Sequence, residues 1–334
     1  MGAESVMPDT KNAGIKLTEF SELPEFRAPT IWSDRQWFEC LLQEGPSAGL
    51  DSVGFYNHEG CVCLTAQGVA LSSLTNYFSI RSDTAHFSAS FLADLFRSCF
   101  LQKWSTVQLD YIVGEEEAQR IASQARMQGF KVIAEPRYEN WYHRLEDGES
   151  FQSYISTRPK RLQNTLQRKQ RKLQKLGAQA RVWCQTADGG LDQLYEDFQT
   201  VYQNSWKGGE EYPQFVRNFA QICAERGILR LGLLYLSGEP VAAQFWVIDS
   251  GTAYVYKLAY DERFANLSVG SCLSQVMFEH VIDKDQVQFI DYGVGSESYK
   301  QDWMDNVRSV QRLHLYHPQT LIERLKYYLD LIRS

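Results

Sequence analysis

The chain has 334 residues, 44% of them hydrophobic, and a net charge of −7 from 34 Lys and Arg against 41 Asp and Glu. That length holds two ordinary domains or one large one, with a sizeable core. The acidic balance argues against a surface given over to DNA, and no apolar run is long enough to cross a membrane. The seven cysteines, Cys40, Cys61, Cys63, Cys99, Cys184, Cys223 and Cys272, are odd in number and form neither a Cys-x-x-Cys pair nor a Cys/His cluster. They predict buried free thiols in a reducing cytoplasm and no metal site.

Residues 1–14 are acidic and polar, unlike a signal peptide, and are expected to be disordered or weakly docked. A first α/β domain is expected over 15–145. In it a helix suits 34–43, a hairpin 53–65 about the turn Asn57-His-Glu-Gly60, and extended chain 71–80. Helical spacing recurs at 87–101 and 115–128, with strands at 106–113, 131–134 and 139–145. The segment 151–176 reads as one basic helix, with Pro159 in the first turn of its main part and Gly177 at its end. Its residues within 146–178 suit a connecting helix, either solvated or facing phosphates. A second domain is expected over 179–334. It holds a strand at 180–185, helices at 191–206 and 215–226, and strands at 229–236, 241–248 and 252–260 with Ser-Gly turns between them. A strand at 287–291, another at 307–316 and a closing helix at 319–332 complete it.

The stretch from Val255 to Ser274 is the focus of this order. A strand ends near Tyr260, the polar residues from Asp261 to Phe264 turn away, and Ser268-Val269-Gly270-Ser271 leads into a helix. A helix start after such a turn either leaves amides aimed at an anion or is an ordinary turn with Ser271 as N-cap.

The elements of the second half follow the order of the GNAT acyltransferase fold. The basic helix ending Lys175-Leu-Gly177, then Gly238-Glu-Pro-Val-Ala-Ala243, Ala259-Tyr-Asp261, Leu267-Ser-Val-Gly270, Asp291-Tyr-Gly293 and Tyr299-Lys300 resemble CelD-type acetyltransferases, a GNAT family akin to the Fem-type peptidyltransferases. The resemblance covers about residues 151–305. It implies an α/β mixed-sheet, tandem GNAT-like fold with a degenerate first copy, and an enzyme that transfers acyl groups to amines. Acetyl-CoA or another acyl-CoA is the implied co-substrate, seated by Leu267, Ser268, Val269, Gly270 and Ser271. The turn lacks the Gln/Arg-x-x-Gly-x-Gly/Ala pattern of ordinary GNAT enzymes and keeps only Gly270, and Val269 stands where the family usually has Pro. Fem-type relatives take an aminoacyl group from tRNA, so tRNA is the alternative donor carrier. The implied acceptor is a small-molecule or peptide amine, and a chain in which both copies only bind is the non-enzymatic alternative.

Acyl transfer needs a proton acceptor, donors for an oxyanion and an acid for the leaving group. Asp291, ending an apolar strand, is either the base, its pKa raised by half-burial, or an acceptor for the amides of Gly293 or Val294. Tyr299 or Tyr260 is the candidate acid, and Lys300 the candidate holder of a phosphate or acidic acceptor. Lys257 and Asp261 suit an acceptor groove, although Asp261 suits a turn equally. Trp206, before the Gly208-Gly209 loop, is either a lid or a core residue. No Gly-x-Ser-x-Gly elbow is present, which favours direct transfer.

Overall fold

Short polar turns between apolar runs fold most strands against their sequence neighbours. A computed structural model describes residues 15–333 apart from Glu25, Arg27, Asp83, Ala85, residues 185–189 and Thr320. The expected disorder of residues 1–14 lies outside the described residues. Two compact units emerge, Met1–Glu139 with Arg308–Ser334, and Asn140–Val307.

The first unit opens with β1 (Lys16–Glu19), α1 (Arg35–Gln43), β2 (Ser52–Asn57), β3 (Gly60–Gln67) and β4 (Ala70–Ser73). It continues with α2 (Ala89–Leu101), β5 (Thr106–Val113), α3 (Glu115–Met127) and β6 (Lys131–Arg144). Asp34 starts α1 by accepting the Gln36 amide at 3.0 Å. β1 to β4 form an antiparallel meander, and β5 joins parallel to β4 after the α2 crossover. The apolar stripes of α2 and α3, Phe91, Phe96, Ile121 and Ala125 among them, close a core with Phe55, Val107 and Ile112.

The second unit holds α4 (Phe151–Thr157), α5 (Lys160–Lys175), β7 (Gln179–Trp183), α6 (Leu191–Gln203), α7 (Pro213–Glu225), β8 (Leu229–Leu236), β9 (Glu239–Asp249) and β10 (Thr252–Tyr260). After them come α8 (Val269–Asp283), β11 (Phe289–Val294) and α9 (Lys300–Trp303). β7 to β10 are an antiparallel meander, β11 pairs parallel with β10, and the last residues of β6 pair antiparallel with β11. α8 is pinned by its apolar face: Phe278 stacks on Trp303 at 4.5 Å and Tyr154 at 5.4 Å and meets Trp246 edge-on. Truncating such a ring costs about 3–5 kcal/mol. The chain ends with β12 (Asn306–Tyr316), whose residues from Val310 pair with β5 of the first unit, and α10 (Leu321–Arg333).

The structure departs from several sequence expectations. The strands expected at 131–134 and 139–145 are one strand, β6, running through Pro136. The helix expected over 151–176 is two, because Arg158 is extended (ψ 160°) and Pro159 cannot continue a helix, so it starts α5 instead. Extended chain at 71–80 shortens to β4. The domain division also differs. Residues 308–334 group with the first unit, and α5 is no free connector, since Leu162, Leu166 and Leu173 are buried in the core that includes Leu273 and Met277 of α8. All seven cysteines are free thiols. Among the described residues no helix is long and apolar enough to cross a membrane.

Candidate active site

The site lies where β10 and β11 stop pairing. Their parallel register runs only from Thr252–Phe289 to Tyr254–Asp291, yet β10 continues to Tyr260 and β11 to Val294. Two causes are local. β10 has a bulge between Val255 and Lys257, and β11 bends through Gly293, whose φ of 72° a side chain would strain. Two parallel strands that part at their carboxyl ends open the sheet where α/β folds take ligands.

The α8 helix starts beside this opening. Ser268 is left-handed (φ 53°, ψ 41°) and makes no side-chain cap, and the first amide bonded within the helix is Cys272 N to Ser268 O, at 3.0 Å. The expectation of Ser271 as N-cap is corrected: Ser268 holds that position, and Ser271 lies in the first turn. Among the described residues no protein acceptor takes the amides of Val269, Gly270 and Ser271. Three open amides at the positive end of a helix attract a negative charge. Gly270 is required sterically, because a Cβ there would lie 2.9 Å from Cδ1 of Tyr260. Buried Gln244 of β9 fixes the helix start by donating to Gly270 O (3.2 Å) and Ser274 Oγ (2.8 Å) while accepting from Trp246 Nε1 (2.9 Å). Leu267 is buried behind the turn, and the Lys169 ammonium of α5 donates to Asn266 O.

On the other side of Tyr260 is a cluster of aromatic and charged groups. The Tyr260 ring packs on Trp206 with centroids 4.9 Å apart, and Trp206 is 48% exposed. Lys207 Nζ lies 5.5 Å from the Trp206 ring and 5.0 Å from that of Tyr202, and donates to the Tyr202 hydroxyl at 3.2 Å. Burial of the ammonium and the charge of Lys257 push the Lys207 pKa down to about 8, against the pull of Glu210 and Glu297. Lys257 pairs with Glu210 at 2.6 Å, and its pKa is lowered because burial outweighs that carboxylate. Lys300, 4% exposed, donates to Val294 O at 2.5 Å and pairs with Glu297 at 3.0 Å. Tyr299 borders the same group, and burial together with Glu297 pushes its phenol up to about 12.

The sequence-predicted residues therefore divide. Tyr260 packs against the helix start and Trp206 against Tyr260, while Lys257 and Lys300 gather around Lys207 and Tyr299 lies beside Glu297. Asp291 is 1% exposed, and its Oδ1 accepts from Asn140 Nδ2 at 2.7 Å and from the Gly293 amide at 2.8 Å. It ties the β11 bend, which is the second of its two sequence readings, the acceptor for the Gly293 amide. Asp261 is fully buried; it caps the turn by accepting the Arg263 amide at 2.9 Å, and its Oδ2 takes that guanidinium at 2.7 Å. Those bonds hold its carboxyl below the usual range, so it is a turn residue and no groove wall. Glu210 and Glu297 were not among the predicted residues: Glu210 meets Lys257 only in the fold, whereas Glu297 stands three positions before Lys300, a spacing that could have marked it.

Residues 160–301 match the family described as acetyltransferase (GNAT) domain. No curated protein matches the chain. Solved structures with the same fold include FemX (10% identity, 89% of this chain and 94% of that one, TM-score 0.61). L-PGS from Bacillus licheniformis is similar as well (12% identity, 93% and 99% covered, TM-score 0.55). So is the C-terminal domain of a putative lysylphosphatidylglycerol synthetase from Agrobacterium fabrum (10% identity, 89% and 90%, TM-score 0.55).

Proposed function

Because residues 160–301 match an acetyltransferase (GNAT) domain and the chain shares its fold with FemX, we propose that it is an N-acyltransferase that moves an acetyl or longer acyl group from acyl-CoA directly to an amine of an amino sugar, amino acid or peptide. The observation that carries this reading is the trio of open amides at Val269, Gly270 and Ser271 beside the parting of β10 and β11. The donor's pyrophosphate sits on those amides, backed by Leu267 and Ser268, and its acyl group reaches the opening. The acceptor enters along Trp206, Tyr260 and Lys257. Its amine nitrogen bonds to the acyl carbon, the carbon–sulfur bond breaks, and the sulfur takes a proton from Tyr299, which a pKa near 12 keeps protonated at neutral pH. The amine's proton leaves to solvent, and the Tyr299 phenolate regains its proton from solvent, which its pKa of about 12 favours. Negative charge that develops on the carbonyl oxygen faces the Lys207, Lys257 and Lys300 cluster. Asp291 acts through the β11 bend, as a positioning residue. A supply of acyl-CoA places the reaction in the cytoplasm, with neither metal nor DNA involved. Isothermal titration with acetyl-CoA and with long-chain acyl-CoA tests the reading; absence of heat with every one of them removes it.

A second reading, transfer from aminoacyl-tRNA as in Fem-type proteins, is favoured by one feature. Arg168, Arg171, Lys172 and Lys175 are exposed at helical spacing along α5. That stripe suits a phosphate backbone. The reading requires tRNA binding that weakens steeply with salt.

A further inference from the structure

Lys207, Lys257 and Lys300 bring three cations into one cluster, and Glu210 and Glu297 are the carboxylates that act on Lys207. Lys257 (β10) has Glu210 at 2.6 Å and also feels Glu211. Lys300 (α9) has Glu297 at 3.0 Å. Among the described residues Lys207, on the loop after α6, has no carboxylate within ion-pair distance, and its ammonium instead meets the Tyr202 hydroxyl and the faces of Tyr202 and Trp206. A partly desolvated ammonium whose near neighbours are all uncharged is stabilised by an incoming anion. Although its ammonium is packed against these rings, the residue as a whole is exposed, so an incoming group can reach it from the open side. Trp206 links it through Tyr260 to Gly270 at the helix start.

We propose that Lys207 receives a carboxylate or phosphate carried by the acceptor, so that the acceptor is an anionic amine and not a neutral or polycationic one. The proposal rests on the acyltransferase reading for the word acceptor, while the anion site itself stands on the cluster. Lys257 and Lys300, each already paired, shape the site, and among the described residues Lys207 is the lysine of the three with no carboxylate at ion-pair distance. An anion bound there draws the Lys207 ammonium back from about 8 toward the ordinary lysine value.

The test uses the full chain without donor, its lysines carrying 13C-methyl labels, with the Lys207 NMR signal assigned by its loss in Lys207→Gln. Inorganic phosphate, acetate and chloride are added in separate arms at matched ionic strength. A rise of the Lys207 titration midpoint by about 1 unit in phosphate alone supports a phosphate-bearing acceptor, and a rise in acetate supports a carboxylate. With either anion, Lys207→Arg retains saturable binding while Lys207→Gln weakens it by about tenfold or more. A midpoint that moves no further in phosphate or acetate than in chloride overturns the proposal. Calorimetry with acyl-CoA on the same sample separates the two ideas. Donor binding with an unmoved Lys207 sinks the anion site and spares the transferase, and the reverse outcome does the opposite.

Discussion

The two units contain the same device with opposite outcomes. Each has an antiparallel meander, a helix and a parallel strand: β4, α2 and β5 in the first, β10, α8 and β11 in the second. In the first, a carboxylate of the chain already stands at the α2 start. Glu59, from the β2–β3 turn, accepts the Ser88 amide at 2.8 Å and the Ser88 hydroxyl at 2.7 Å, and Ser88 Oγ accepts the Phe91 amide at 3.1 Å. In the second, Val269, Gly270 and Ser271 keep their amides open. A helix start is open to a ligand only where the chain leaves it unfilled, and the two units differ in whether a carboxylate of the chain stands at that start.

The largest expected effect comes from closing the open start. Gly270→Val drives a side chain into the Tyr260 ring and over the amides, and calorimetry should show donor affinity falling by about a hundredfold, ~2.7 kcal/mol. Asp291 ranks next. Asp291→Asn keeps an oxygen for Asn140 Nδ2 and the Gly293 amide, so steady-state kinetics should show kcat within about tenfold of the parent, whereas loss of a general base costs about 10²–10⁴. Glu59→Ala should cost about 1 kcal/mol in denaturant unfolding, as loss of a helix cap does, and leave donor stoichiometry at one per chain.

The smallest effect is a pH slope. The folded state lowers the Lys207 pKa to about 8 from 10.5, so between those values the unfolded chain binds more protons and stability rises with pH. Below about 8 both states are protonated and the penalty is constant. Lys207→Met should flatten that rise, as read from the difference between variant and parent unfolding midpoints across the window.

Much of this comparison was legible in the sequence. Ser237-Gly238 and Ser250-Gly251 mark the turns of the second meander, and all four residues have positive φ. The strand–turn–helix from Val255 to Ser274 follows from punctuation and period. The two strands expected at 131–134 and 139–145 are one: Pro136 lacks a ladder donor, yet β6 runs through it and its pairing with β11 begins only at Asn140. Asp261 was ambiguous between groove and turn, and Arg263, two residues on, is the local signal that decides for the turn. Contacts distant in sequence left no such signal. Glu59 reaches Ser88 across 29 positions, and Lys257 reaches Glu210 across the α7–β9 segment.

The central claim is that the α8 start, and not the α2 start, holds the anionic end of the donor. The most direct test follows backbone amide resonances of 15N-labelled protein as coenzyme A is added. Saturable shifts at Val269, Gly270 and Ser271, with Ser88 to Phe91 unmoved, are the predicted result. Unmoved resonances at Val269 to Ser271, or shifts concentrated at Ser88 to Phe91, would contradict it.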